Sequence, residues 1–356
     1  MSETTSGAMG GPRHGARRLV VFGVTGQLGR ELVERLDESE WPISELVGIA
    51  SAESVGETFD FRGDDLDVVG EWPVLKGWDL VFICTRGLEV LEIVRECLRA
   101  QVPCLDLTGA LSAQVEVPLP TALGEAGRAD DAIASAPLIA LPSATTLAWA
   151  TLLEAIAGAA EIRRVIGTVL SSASALGRRG LVALSEESIA LFNQADPPDA
   201  GPAGQGVAFD VVPGGGIDPT RIRLELERLF GESLRVDVAG LQVPTFVGEG
   251  TSLVIELGSP LEAALLESRL AAADGLSLVA DGIGSRGLAA VEEGVAAPTG
   301  PTLRDAAGVD EVLVGRIEPD PSLSEGRGWR IWLATDPIRL TADHALRVAG
   351  RRLGLA

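Results

Sequence analysis

Residues 17–36 read Arg-Arg-Leu-Val-Val-Phe-Gly-Val-Thr-Gly-Gln-Leu-Gly-Arg-Glu-Leu-Val-Glu-Arg-Leu. The apolar run at 19–22 has the uninterrupted character of a strand buried on both faces of a parallel sheet. Gly23, Gly26 and Gly29 follow at three-residue spacing. Leu28, Leu32, Val33 and Leu36 then recur on one side of a helix. Strand, glycine-rich turn and helix in this order predict an α/β fold with a Rossmann-like, doubly wound parallel sheet.

Glycines at such a turn let a pyrophosphate approach the main-chain N–H groups at the positive end of a helix. The spacing G-x-x-G-x-x-G is a variant of the usual dinucleotide fingerprint. The same glycines also serve a tight turn and close helix–strand packing with no ligand, and the sequence leaves both uses open. The candidate cofactor contacts are Gly23, Thr25, Gly26, Gln27, Leu28 and Gly29, joined by Ser51 and Glu53 after the next strand. A carboxylate at Glu53 accepts ribose hydroxyls and repels a 2′-phosphate, so a bound dinucleotide is expected to be NAD rather than NADP.

The pattern repeats along the first half. Strands are expected at 45–50, 80–84, 104–107 and 138–141, with a helix at 89–99. From residue 143 the character changes to α+β with a mainly antiparallel or mixed sheet. Helices are expected at 146–157, 185–193, 221–230 and 260–273. Strands are expected at 165–170, 234–238, 241–247 and 252–257. A last amphipathic helix at 341–353 is placed to return to the first domain. The organisation read from this is a disordered tail at 1–16, a dinucleotide-binding domain at 17–142, an α+β dimerisation or substrate-type domain at 143–336, and a C-terminal helical segment at 337–356.

Charge narrows the partners. Lys and Arg number 29 against 51 Asp and Glu, a formal charge of −22. So acidic a chain is repelled by phosphate backbones and anionic lipid, and neither nucleic acid nor a membrane is an expected partner. The three cysteines, Cys84, Cys97 and Cys104, form no C-x-x-C pair. No disulfide framework or structural zinc site is expected, and a reducing cytoplasm is the expected location. Tyrosine is absent, Lys76 is the single lysine, and the two histidines are His14, in the tail, and His344, in the last helix. General acid–base chemistry would therefore fall mainly to carboxylates.

Several segments resemble the aspartate-semialdehyde dehydrogenase family. Gly23-Val-Thr-Gly-Gln-Leu-Gly29 is similar to its G-A-T-G-x-V-G. Trp41-Pro-Ile-Ser-Glu-Leu46 followed by Ser51-Ala-Glu-Ser-Val-Gly56 resembles its second-strand region. Val243-Pro-Thr-Phe-Val-Gly248 is similar to V-P-V-F-x-G, and the stretch 301–317 resembles the run leading to its last strands. The resemblance implies a homodimer built on the second domain. It also implies a reaction in which a Cys thiolate, positioned by a Gln and served by a His, forms a thioester that a nicotinamide cofactor reduces, while two Arg hold the substrate.

The chemical positions depart from that pattern together. The nucleophile's N-P-N-C-S-T corresponds to Leu141-Pro-Ser-Ala-Thr-Thr146, which places Ala144 at the cysteine. Ser171 takes the Gln position, Gln242 the substrate Arg, Glu249 the His and Ser112 the phosphate-binding Arg. Near the C-terminus Pro337-Ile-Arg-Leu-Thr341 stands where the family has N-L-R-K-G. The expectation is thus an intact reductase scaffold without catalytic residues, a pseudoenzyme with a residual NAD site. The alternative is an NAD-dependent oxidoreductase acting on a different substrate, with Glu249 as base. A third is a module that pairs with a true dehydrogenase subunit.

Overall fold

The computed structural model describes residues 15–121, 129–196, 202, 206–279 and 300–355. His14 and nearly all of the tail expected at 1–16 lie outside them. Two seven-stranded sheets organise the described residues. The first takes β1 (Arg17–Phe22), α1 (Gln27–Glu38), β2 (Ile43–Ile49), β3 (Thr58–Phe61), β4 (Asp64–Val69), β5 (Leu80–Ile83), α2 (Glu89–Ala100), β6 (Cys104–Asp106), α3 (Ala129–Ser135) and β7 (Leu138–Ala140). Its strand order is β3-β4-β2-β1-β5-β6-β7, parallel except for the β3–β4 hairpin at one edge.

The run at 19–22 is apolar throughout because both faces of β1 are covered. Leu19 and Val21 pack with Leu32 and Leu36 of α1, whereas Val20 and Phe22 pack with Val90 and Ile93 of α2. The chain leaves β1 toward one face of the sheet and β5 toward the other. The crevice where such an order reverses lies at the carboxyl ends of these two strands, the usual ligand position in open α/β sheets.

The β3–β4 hairpin falls between the strands expected in this half. Its two-residue loop, Arg62-Gly63, has φ of 56° and 83°. Two successive positive φ values make the mirror-image turn that suits strand twist. The Arg62 N–H is tied to Asp37 Oδ1, and an Arg62 Nη2 donates to the Trp41 carbonyl at 2.6 Å.

The second sheet is mixed, in the order β12-β13-β14-β11-β8-β10-β9. It is built from α4 (Ala144–Ala157), β8 (Ile162–Ser171), α5 (Gly177–Phe192), β9 (Val212–Pro213), α6 (Pro219–Phe230), β10 (Arg235–Gln242), β11 (Glu249–Leu257), α7 (Ala263–Ala271), β12 (Leu276–Leu278), α8 (Leu303–Ala306), β13 (Val312–Pro319) and β14 (Gly328–Thr335). Helices α4, α6 and α7 cover one face, where Val165, Val169, Leu253, Ile255, Ile331 and Leu333 form one core with Leu152, Leu226 and Leu266. Trp149 of α4 is fully buried there. A Cβ at residue 167 would sit 2.0 Å from its ring, so Gly167 makes room for it. Strand alternation turns Ile166, Thr168, Leu170 and Val254 to the other face, where they are half-buried.

One expectation is corrected. The two strands read at 234–238 and 241–247 are a single strand, β10, which runs parallel to β8 along its whole length. Gly240 does not interrupt it, because Ile217 covers the space its missing side chain leaves. The segment after Gln242 leaves the sheet. Its Thr245 and Phe246 carbonyls accept from Ala173 and Ser174 N–H at 2.9 and 3.0 Å, and Gly248 turns the chain with φ of 91°.

The last helix, α9 (Pro337–Leu353), begins earlier than expected, because Asp336 caps it by accepting from Ile338 and Arg339 N–H. Its Ala345, Val348, Ala349 and Leu353 share a buried cluster with α1. Arg35 and Glu31 of α1 also meet Asp310 and Arg339 in an ion-pair network.

Candidate functional site

Two places carry the residues singled out from sequence. The first is the turn between β1 and α1. Gly23 has φ of 83°, and a Cβ there would stand 2.7 Å from the Thr85 nitrogen. A Cβ on Gly29 would stand 2.2 Å from the Gly23 carbonyl oxygen. These two glycines therefore permit close backbone packing of turn, helix and the β5 loop. Gly26 is the N-cap of α1 and supplies no side-chain capping bond. It is exposed, with Thr25, Gln27 and Leu28 half-buried around it. Thr25 Oγ1 donates to Ser54 Oγ at 3.3 Å, which fastens the turn to the short 3₁₀ segment Ala52–Ser54. Ser51 and Glu53 are exposed on that segment, at the end of β2.

The second place lies where the carboxyl end of β6 meets the second sheet. Strand register sets Ser171 of β8 beside both Gln242 of β10 and Glu249 of β11. The start of α4 reaches this row through Thr145, whose Oγ1 donates to Glu249 Oε1 at 2.8 Å. Ala144, Ser171, Gln242 and Glu249 are thus gathered at one point from four elements. The first of them presents a methyl group.

Hydrogen bonding within the chain occupies the polar members. Gln242 Nε2 donates to the Ser171 carbonyl at 2.9 Å, and Ser171 Oγ donates to the Gly215 carbonyl at 3.1 Å. A Cβ on Gly216 would meet that Oγ at 2.7 Å, so the 214–216 loop closes over the pair. Glu249 is buried, and desolvation pushes its pKa up to about 7 against the opposing bond from Thr145.

Ser112 joins this place through Glu225, a residue that sequence reasoning passed over. Glu225 lies on the buried stripe of α6 with Ile222 and Leu226 and is wholly shielded from solvent. Its Oε1 accepts from Ser112 Oγ at 2.5 Å and Arg221 Nε at 2.7 Å. Its Oε2 accepts from the N–H and the hydroxyl of Ser143, at 3.0 and 2.8 Å. Ser143 is the N-cap of α4 and Ser112 follows β6, so one carboxylate ties three elements of two sheets. Arg221 and Arg228 extend the tie to the carbonyls of Thr108, Ser112 and Val117. The available signal was an acidic residue at core spacing in an amphipathic helix, four residues after an arginine.

The remaining reactive groups stand elsewhere. Burial and the Asp106 charge push the Cys84 thiol up, and Cys97 and Cys104 are buried. The surroundings of Cys84 thus oppose the thiolate rather than favour it. His344 is buried in α9 with Nε2 at 3.0 Å from the Pro120 carbonyl, and desolvation drives its pKa down to about 4. Among the described residues no cluster of His, Cys, Asp and Glu suits a metal ion, and no helix is long and apolar enough to cross a membrane.

Comparison with known proteins gives matches over both sheets. Residues 18–129 match the model of the semialdehyde dehydrogenase NAD-binding domain, and residues 153–340 match that of the semialdehyde dehydrogenase dimerisation domain. Aspartate-semialdehyde dehydrogenase 2 of Vibrio cholerae is 27% identical over 93% of this chain and 96% of its own length. The USG-1 protein homolog of Pseudomonas aeruginosa is 28% identical over 90% of this chain and 93% of its own. The crystal structure of aspartate semialdehyde dehydrogenase II from Vibrio cholerae, complexed with ASA, superposes with a TM-score of 0.82 at 26% identity, covering 95% of this chain and 98% of that one.

Proposed function

Because the chain belongs to the semialdehyde dehydrogenase family through both matched domains, we propose that it is a non-catalytic member: a dimer with a dinucleotide site that does not reduce acyl phosphates. The observation that carries this reading is the occupancy of the row at the start of α4. Ala144 has no nucleophilic atom, and its neighbours Ser171, Gln242 and Glu249 are held by bonds within the chain. A nucleophile and its base act as a unit, and losing one removes on the order of a millionfold in rate in well-studied hydrolases. Thr145 and Ser143 donate their hydroxyls to the carboxylates of Glu249 and Glu225, but a carboxylate is a poor base for an alcohol, so neither hydroxyl is read as a replacement for the thiol.

The residues of the β1–α1 turn fit a dinucleotide. The N-terminus of α1 has no side-chain cap, and Gly26 adds no Cβ between its amides and an incoming phosphate. Bound there, the group would carry a hydride-accepting nicotinamide. Gly23, Thr25, Gly26, Gln27, Leu28 and Gly29 would hold the phosphates, and Ser51 and Glu53 the ribose. The Glu53 carboxylate favours NAD over NADP. The half-buried face of the second sheet, with Ile166, Leu170 and Val254, supports pairing of two copies there.

Three measurements test the reading. Incubation with aspartate semialdehyde, phosphate and NAD or NADP is expected to give no reduced cofactor above the buffer blank, and turnover overturns it. Calorimetry with NAD and NADP is expected to show tighter binding of NAD. Light scattering at micromolar concentration is expected to give the mass of two copies, and a monomer contradicts the dimer. One observation favours a second reading, an NAD-dependent oxidoreductase of another aldehyde: a buried Glu249 with a pKa of about 7 is suited to proton transfer. NAD reduction in an aldehyde panel that disappears in Glu249→Gln distinguishes it.

A further inference from the structure

The loops at the carboxyl ends of β2, β4 and β5 expose large apolar side chains around the glycine turn. Val55 is 54% exposed, Val74 84%, Leu88 85%, and the Trp72 side chain, far larger, keeps 39% of its surface open. β4 runs parallel to β2, with Val69 beside Ile49, so the segment after it emerges at the edge of the sheet where Ser51 and Glu53 stand. The fit there is close: a Cβ on Gly70 would meet Val55 Cγ2 at 2.8 Å. From this position Trp72 reaches back to β1 and meets the Phe22 ring edge to face, with centroids 5.0 Å apart and planes at 78°. Phe22 is the residue before Gly23. The indole is therefore anchored against the base of the phosphate turn, while the short 3₁₀ segment is tied to the same turn through Thr25 and Ser54.

We propose that Trp72 is the stacking platform for the adenine base of the dinucleotide, an inference that rests on the dinucleotide part of the reading above. An indole left 39% exposed on a loop that also exposes Val74 is a surface that a flat heteroaromatic base covers well. Phosphates belong at the N-terminus of α1 and the ribose at Ser51 and Glu53, and the indole, carried on the loop after β4, comes back to the end of β1 beside that turn. Stacking on an aromatic face needs no hydrogen-bond readout, so the platform supplies affinity for the base and leaves the choice between NAD and NADP to Glu53.

The test titrates the intact chain and its W72L and W72F variants with NAD and with ADP-ribose, by calorimetry and by tryptophan fluorescence. Both probes are expected to bind and to quench fluorescence. W72L is expected to weaken both by roughly five- to 150-fold, the range for losing one base–aromatic stack, while W72F stays within about threefold of the native chain. Thermal melts matching the native chain establish that W72L is folded, and W72F keeps an aromatic ring at the position facing Phe22. Equal affinity of W72L and the native chain overturns the platform and leaves the dinucleotide site standing. A loss confined to NAD, with ADP-ribose unaffected, puts the ring at the nicotinamide end and also overturns it. Failure of the native chain to bind either probe overturns the platform and the dinucleotide site together.

Discussion

Glu225→Ala is expected to loosen the junction of the two sheets more than any other single truncation on α6. The carboxylate is fully buried and accepts from four donors: the Ser143 N–H and hydroxyl, the Ser112 hydroxyl and Arg221 Nε. Hydrogen bonds to a charged group contribute about 1.5–3 kcal/mol each, but their simple sum overstates the loss. Arg221 is 26% exposed and retains the Thr108 carbonyl, and the Ser143 hydroxyl can turn to Thr146 Oγ1, 2.8 Å away. Breaking a buried pair by removing one partner costs about 3–5 kcal/mol, and that is the magnitude expected here. Glu225→Gln keeps the shape but points an amide N–H at a site lined with donors, so a smaller loss of about 1–3 kcal/mol is expected. Urea unfolding of both variants measures the size, and hydrogen exchange at residues 108–112 and 143–146 locates it, since protection there depends on the tie. Glu53→Gln, at an exposed position, serves as the control and is expected to change neither. A loss below about 1 kcal/mol in Glu225→Ala, or unchanged exchange in both segments, refutes the reasoning.

Two further predictions concern pH and the glycine turn. Glu249 has a pKa raised to about 7, so the folded chain holds its proton where the unfolded chain does not. Its stabilising contribution is present below the ordinary carboxylate pKa and is lost as pH rises toward 7. His344, lowered to about 4, acts oppositely, and its contribution is lost as pH falls from 6.5 toward 4. Between pH 4.5 and 6.5 the two slopes offset one another. Denaturant midpoints of Glu249→Gln are therefore expected to rise with pH in that window, and those of His344→Gln to fall. The reverse signs contradict the assignment. Gly29→Ala puts a Cβ 2.2 Å from the Gly23 carbonyl oxygen and must shift the turn. It is expected to lower the melting temperature with no dinucleotide present, and a neutral effect shows that the contact relaxes cheaply.

The first sheet was legible because covering both faces of a strand leaves an apolar run that polar loops bracket. The hairpin was hidden because its turn is held from elsewhere in the chain. Its first turn residue is Arg62, held at positive φ by bonds to Asp37 and Trp41 rather than by its own preference, so residue type carries no cue. In β10, Gly240 has the look of a break between two strands. What decides the matter is Ile217, which arrives from the preceding loop and fills the gap. In both cases the determining contact comes from outside the segment, and a window along the chain does not contain it.

The candidate site divides along the same line. Among the positions matched by motif, Ser171, Gln242 and Glu249 converge because β8, β10 and β11 are neighbours in register, and Ala144 joins them through the bond from Thr145 to Glu249. The polar tie beside them has no such template. Glu225 and Arg221 have the spacing of an ordinary surface ion pair on a helix, and their meaning depends on Ser143 and Ser112, 82 and 113 residues away in sequence. Burial separates the two cases. A solvated pair of this kind contributes little, whereas this one is built on a fully buried carboxylate that also accepts from the end of β6 and the start of α4. A methyl group at Ala144 and this tie are therefore compatible. The first concerns one side chain at the start of α4, and the second joins the end of β6 to α4 and α6.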